Sequence, residues 1–259
     1  VTGGPAVLLS VDSGLATITL NRPDAKNRLD AESMALLLGH LRATADDPQV
    51  RVVVLTGSGT TFCSGADLSG ALAATSGGFA SGGTAGLVDV LVTMLDHPKP
   101  LIARVQGHVA GGGNGLVAAC DIAVASEDAK FAFSEVRVGV APAIISVVCL
   151  QVMHRRDAQE LLLTGERVSA ERVRTSGLVT RVVEAGALDA AVAVYVEQLC
   201  LGGPEAVART KELLRRVPAM TREEAFAWTA EVSAGLFTST EAREGMTAFI
   251  EKRRPAWAP

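Results

Sequence analysis

Two short strand-like runs, residues 6–11 and 15–20, flank the polar Asp12-Ser13-Gly14. Two such runs on either side of a polar turn predict a β-hairpin. A polar loop, Asn21-Arg22-Pro23-Asp24-Ala25-Lys26-Asn27, follows. Asp30 then predicts the cap of a helix reaching about Thr44, with Met34, Leu37, Leu38 and Leu41 on one face. Residues 51–56 form a continuous apolar run, the pattern of a strand buried on both faces. The glycine-containing residues 57–65 read as a long turn.

Residues 69–86 are rich in Gly, Ala, Ser and Thr and carry no regular period, which predicts a mobile loop rather than a domain linker. Helical spacing over 86–96 stops at His97-Pro98-Lys99-Pro100, and 101–105 read as the next strand. The stretch from Val105 to Asp121 holds Gly111-Gly112-Gly113 and predicts a strand end, a tight turn and a buried helix. Residues 122–125 read as a strand and Phe131-Ala132-Phe133 as a short strand-like piece. Strands alternating with helices wind, through right-handed crossovers, into a layered α/β core. From Pro142 the pattern turns helical, with helices expected at about 142–153, 155–163, 169–175, 186–201, 203–216, 221–236 and 239–253. We therefore expect residues 1–190 to form the α/β core and residues 191–259 a helical C-terminal region.

At 259 residues the chain is long enough to bury a large core. A hydrophobic content of 48% with 20% charged residues fits a globular protein. The net charge of −4 offers no basic surplus for nucleic acid or an anionic membrane, so neither is expected as a partner. The cysteines Cys63, Cys120, Cys149 and Cys200 form no CxxC pair and read as free thiols. Together with the lack of a signal-peptide pattern at the N-terminus, this suggests a cytoplasmic protein. The apolar run 138–153 is interrupted by Gly139, Pro142 and Gln151 and is too short to span a bilayer.

Three segments carry the candidate chemistry. They are Thr61-Phe62-Cys63-Ser64-Gly65-Ala66-Asp67-Leu68, the glycine helix, and the segment from Phe131 to Ala143 that holds Glu135. Glycines at a helix start leave N–H groups unpaired at the positive end of the helix dipole, a place for negative charge. Each segment alone has a plainer reading: a turn with a capping Asp, close helix packing, a surface charge. Their combination points to an enolate oxygen held by two backbone amides. Phe133 and Val136 would raise the Glu135 pKa by desolvation, whereas Arg137 would lower it if an extended segment put both on one face. Other chemistries find no support. Residues 55–61 lack a following Gly-Lys-Ser/Thr, the glycine run lacks a dinucleotide-binding spacing, and no Gly-x-Ser-x-Gly elbow occurs. His40, His97, His108 and His154 are dispersed, so no metal site is expected.

These segments, with the Asn21-Arg22-Pro23 loop and the tail from Glu244 to Arg253, resemble the crotonase (enoyl-CoA hydratase/isomerase) superfamily over nearly the whole chain. The resemblance implies an α/β fold, a crotonase-like spiral of ββα turns with a helical C-terminal trimerisation domain. It implies acyl-CoA thioester substrates, with CoA as part of the substrate and no separate cofactor, and homotrimers or dimers of trimers. The family's oxyanion donors fall on the N–H groups of Ala66 and Gly112, and its second catalytic glutamate on Glu135. Its CoA contacts fall on Lys26, Arg28, Ser64, Ala66 and Leu68, and, from a neighbouring subunit, on Phe249 and Lys252. Its first glutamate falls on Gly115, so that acid is missing here. One carboxylate suits an enoyl-CoA hydratase that reuses it, a Δ3,Δ2-enoyl-CoA isomerase, or a homologue that binds acyl-CoA without catalysis. The run from Ser134 to Ser146 looks most like the one-glutamate methylglutaconyl-CoA-type hydratases. Loss of a side chain at Gly115 is expected to open space there, room for a substrate carrying its own carboxylate.

Overall fold

The computed structural model describes residues 4–66 and 84–258. The predicted hairpin is present: β1 (Val7–Asp12) pairs antiparallel with β2 (Leu15–Leu20), in register from Val7 opposite Leu20 to Asp12 opposite Leu15. Helix α1 (Ala31–Asp46) follows, and its cap is Asp30, whose side chain accepts from the Ser33 N–H. Then the chain repeats one unit. Strand β3 (Val52–Gly57) and strand β4 (Thr61–Cys63) precede α2 (Thr84–Asp96). Strands β5 (Leu101–Val105) and β6 (His108–Ala110) precede α3 (Gly112–Ala119). Strands β7 (Ile122–Ser126) and β8 (Lys130–Ala132) precede α4 (Ala143–Val152).

The first strand of each unit joins one sheet, of order β1-β2-β3-β5-β7-β10, where β10 is Arg181–Val183. The second joins another sheet, of order β4-β6-β8-β9, where β9 is Arg167–Ser169. The units are therefore successive ββα turns of a spiral, the architecture expected from the sequence. Between β8 and β10 run α5 (Arg155–Thr164) and α6 (Ala170–Thr175).

Strand β3 is buried along its whole length, as its unbroken apolar run requires. Val53 and Leu55 face the main core with Leu37, Leu41, Leu101 and Leu116. Val52 and Val54 face the other way, against α7 (Leu188–Leu201), through Leu188, Ala191, Val192 and Cys200. The expected division at 190/191 thus falls inside a helix that covers the sheet. Helices α8 (Pro204–Arg216), α9 (Arg222–Phe237) and α10 (Thr240–Glu251) complete the C-terminal part. Arg51, at the foot of β3, ties it down: its guanidinium donates to the carbonyls of Gly202 (2.7 Å) and Trp257 (2.8 Å). Among the described residues no single helix is long and apolar enough to cross a membrane.

Two expectations are corrected and one open point is decided. Residues 57–65 are not one turn, because β4 lies within them. The geometry of the Glu135 segment, left open by the sequence, is a 3₁₀ turn, Ser134–Val138. The residue span 69–86 is not loop throughout, since Thr84–Gly86 open α2; residues 69–83 and Leu68 lie outside the described residues.

Candidate active site

Each ββα turn delivers its chemistry at the end of a second-sheet strand. Past β4 the chain bends at Gly65, where φ is +86°, a value L side chains rarely adopt. Past β6 it bends at Gly111, with φ +50°, and α3 starts at Gly112. Past β8 it enters the 3₁₀ turn that carries Glu135.

The first two bends touch. A Cβ added to Gly65 would stand 2.8 Å from the Ala110 carbonyl oxygen and 3.1 Å from the Gly112 nitrogen. The loop at residues 26–29 steadies this bend: Ser64 N–H donates to Lys26 O (3.0 Å), and Leu29 N–H donates to Gly65 O (2.8 Å). Asn27 locks that loop in turn, its buried amide donating to the carbonyls of Thr61 (2.6 Å) and Ser58 (2.9 Å). Among the hydrogen bonds of the described residues, none uses the N–H of Ala66 or of Gly112. The N–H of Gly112 sits in the first turn of α3, at the positive end of its dipole, where a negative oxygen is favoured.

Glu135 closes the site. Its Oε1 lies 3.6 Å from the place a Cβ on Gly111 would take. Its Oε2 is buried with no hydrogen-bond partner. Burial raises the Glu135 pKa above the ordinary carboxylate value, opposed by its own main-chain N–H. Arg137 does not intervene. At three residues per turn the 3₁₀ geometry points it elsewhere, and its Nε donates to Thr164 O at 3.0 Å. The Asn114 amide donates to Ala132 O (2.8 Å), which also accepts from Gly111 N–H (3.2 Å). These two bonds fasten the start of α3 to the strand leading into Glu135.

Gly115 does not leave a void. A Cβ there would lie 2.6 Å from Ile145 Cγ2 and 3.2 Å from Ile145 Cβ. Ile145, on α4 and only 3% exposed, fills the space expected to be open. Nothing in the sequence marked Ile145 as a neighbour of Gly115, because the contact depends on how α4 crosses α3.

The remaining candidates divide into two groups. Lys26 is exposed, and Arg28 and Ser64 are half-buried beside the Gly65 bend, within the interlocked segments. Phe249, 85% exposed, and Lys252 sit on and just past α10. The fixed contacts of that region go to α7 and α8: Glu241 accepts from the N–H groups of Glu205 and Ala206, and Trp257 Nε1 donates to Leu201 O. Burial pushes the thiols of Cys63 and Cys149 up to about 12, so neither is a thiolate nucleophile. Among the described residues no group of His, Cys, Asp and Glu could hold a metal ion.

Residues 10–259 match the family model described as enoyl-CoA hydratase/isomerase. The chain is 34% identical over 259 residues to the enoyl-CoA hydratase EchA19 of Mycobacterium tuberculosis, covering 98% of this chain and 97% of that protein. It is 34% identical over 253 residues to the (E)-benzylidenesuccinyl-CoA hydratase of Thauera aromatica, covering 97% and 98%. The crystal structure of an enoyl-CoA hydratase from Mycobacterium smegmatis superposes with a TM-score of 0.94 at 38% identity, covering 99% of this chain and all of that one.

Proposed function

Since the chain belongs to the enoyl-CoA hydratase/isomerase family, we propose that it is an enoyl-CoA hydratase working with a single carboxylate. The observation that carries this reading is the buried, unpartnered Glu135 oxygen beside two abutting glycine bends. The thioester oxygen accepts from the N–H groups of Ala66 and Gly112. Glu135 takes a proton from water as the water oxygen bonds to C3. The electron pair of the C2–C3 double bond moves toward the thioester, and the enolate oxygen is held by the two donors. Glu135 then returns the proton to C2. One hydroxyl and one hydrogen have been added, and Glu135 is again a carboxylate. Desolvation suits it to this work, since a raised pKa makes it the stronger base.

CoA enters as part of the substrate, and no resident cofactor is required. Lys26, Arg28, Ser64 and Leu68 contact its near end. Phe249 and Lys252 serve its far end in a neighbouring copy, a role supported by the exposure of the Phe249 ring. The assembly is a homotrimer or a dimer of trimers, supported by the exposed apolar Phe226, Phe237, Phe249 and Ile250 on α9 and α10. Loss of enoyl-thioester absorbance with crotonyl-CoA tests the activity; no loss at any enzyme concentration sinks it.

One observation favours a second reading. With Ile145 against Gly115, that position offers no second carboxylate to divide the work of hydration. Moving a proton between C2 and C4 of a 3-enoyl thioester needs only Glu135, so a Δ3,Δ2-enoyl-CoA isomerase is the alternative. Assaying a 3-enoyl-CoA beside crotonyl-CoA separates them.

A further inference from the structure

We propose that Asn114 is a positioning residue for the reaction. It fixes the start of α3 against the strand that leads into Glu135, and so sets where the Gly112 donor stands relative to the carboxylate. The inference rests on the thioester reading above. The need for such a tie is local. Gly111, Gly112 and Gly113 carry no side chains, and glycine backbone is the least restricted of all. The parallel pairing of β6 with β8 also runs out there, its last register pair being Ala110 opposite Ala132.

Past that pair, two bonds cross the junction and both end on Ala132 O. The Gly111 N–H reaches it at 3.2 Å and Asn114 Nδ2 at 2.8 Å. One donor precedes the helix and the other lies within its first turn. A single bond would hold α3 at a point, about which the glycines could swing; two hold its direction. Asn114 is the only polar side chain of α3, whose eight residues are all buried. Its main chain is held too: its N–H donates to Gly111 O (2.9 Å), and its carbonyl accepts from the Cys149 thiol of α4 (3.8 Å).

The bond is not required to satisfy a buried carbonyl, because Ala132 O already accepts from Gly111 N–H. Among the described residues Asn114 Oδ1 has no partner, and an amide buried with one end unpaired is a costly occupant of an apolar helix. What the side chain adds is geometry. Ala132 stands three residues before Glu135, and Glu135 Oε1 lies 3.6 Å from the Cβ position of Gly111, the residue bonded to Ala132 O. A swing of α3 about the glycines would therefore move the Gly112 N–H relative to Glu135. Oxygen and reacting carbons belong to one rigid enoyl thioester, so both groups must be in place at once as charge reaches the oxygen. Misplacement by about 1 Å costs roughly 10²-fold in rate.

Asn114→Leu tests this, since it keeps the branching at Cγ and removes both polar ends; Asn114→Ala takes its place if the Leu protein does not fold. Two readouts are compared with wild type. With crotonyl-CoA, kcat should fall by about 10–10²-fold, while calorimetric affinity for the saturated butyryl-CoA stays close to wild type. The second readout is the absorbance of bound 4-(dimethylamino)cinnamoyl-CoA, which moves to longer wavelength when hydrogen bonds polarise the thioester carbonyl. The wild-type protein should show that red shift, and the variant should lose most of it at saturation. Wild-type kcat and red shift in a folded variant overturn the inference. So does a parallel loss of kcat and butyryl-CoA affinity, because Asn114 would then only keep the site folded. A wild-type red shift that the variant loses, with no turnover by either, leaves Asn114 in its role and refutes the hydratase reading. If the wild-type protein shows no red shift, the bends do not hold the thioester oxygen and both fail.

Discussion

The Glu135 carboxylate stops against the backbone of Gly111, its Oε1 3.6 Å from where a Cβ on that glycine would sit, while Oε2 is buried and unpaired. An acid held this way is costly to ionise and therefore basic once ionised. Glu135→Gln should lower turnover of crotonyl-CoA by about 10²–10⁴-fold and leave butyryl-CoA affinity unchanged. The pH dependence follows from the direction of the shift. The folded pKa lies above the ordinary 4.5, so the contribution of Glu135 to stability is full below that value and is lost as pH rises through the folded pKa. Glu135→Gln should thus raise Tm at pH 8, with the gain disappearing near pH 4. The acid limb of kcat/KM should fall above 4.5. Undiminished turnover in the Gln variant would remove Glu135 from the chemistry.

Gly65 brings the two proposed oxyanion donors together, and it tolerates no side chain. Gly65→Ala sets a methyl 2.8 Å from Ala110 O and 3.1 Å from Gly112 N, at φ +86°. The backbone must shift, and a left-handed non-glycine residue adds about 1–2 kcal/mol of strain. We expect kcat to fall by about 10²–10³-fold, as when one oxyanion donor is lost, with a smaller drop in urea-unfolding stability. Wild-type kcat in a folded Gly65→Ala protein would show that the two bends do not act as a pair.

Much of this was legible in the sequence, and what was not has a physical cause. The hairpin announces itself by its polar turn, β3 by an unbroken apolar run, and the C-terminal helices because each spans several turns of its own period. The second sheet does not. Strands of three residues, such as Thr61–Cys63 and His108–Ala110, are too short to show alternation, and β8 meets β9, from Lys130 opposite Ser169 to Ala132 opposite Arg167, only across the whole of α4 and α5. At the site, the glycines and Glu135 could be picked out from residue type and order. The local geometry of Glu135 could not, since a 3₁₀ turn and an extended segment share the same letters. The absent side chain at Gly115 was visible, but its replacement by Ile145 was not, because that contact is tertiary.

His97 gives the fold a second pH dependence, independent of the site. It is buried at the end of α2, where Nδ1 accepts from Lys99 N–H (3.2 Å) and Nε2 lies 3.1 Å from Leu41 O. Burial, with Lys211 and Lys99 nearby, lowers its pKa to about 4 from 6.5. The unfolded chain takes up this proton as pH falls below 6.5 and the folded protein does not, so stability drops between 6.5 and 4, by about 3 kcal/mol at most. Urea titrations at pH 7 and pH 4.5 should show His97→Asn markedly less stable at the higher pH and much nearer wild type at the lower. A gap that stays constant would mean the ring titrates normally.

Ile145 and Gly115 give the sharpest test of the one-carboxylate site. If the space were open, Gly115→Glu would simply install a second acid. With Ile145 Cγ2 2.6 Å from the new Cβ, the substitution should instead overpack the α3–α4 contact, costing about 1–3 kcal/mol before the burial of its charge is counted. Ile145→Ala alone should cost about 2–5 kcal/mol through the cavity it leaves. Together the two changes relieve each other, because the new side chain enters the space the old one vacates. The double variant should therefore be less destabilised than the sum of the singles, by a coupling of about 0.5–3 kcal/mol in a double-mutant cycle. Additive effects would mean the two positions do not compete for the same volume. In the folded double variant, hydration of crotonyl-CoA should also gain on isomerisation of a 3-enoyl-CoA relative to Ile145→Ala, since a second carboxylate beside Glu135 can hold and activate water.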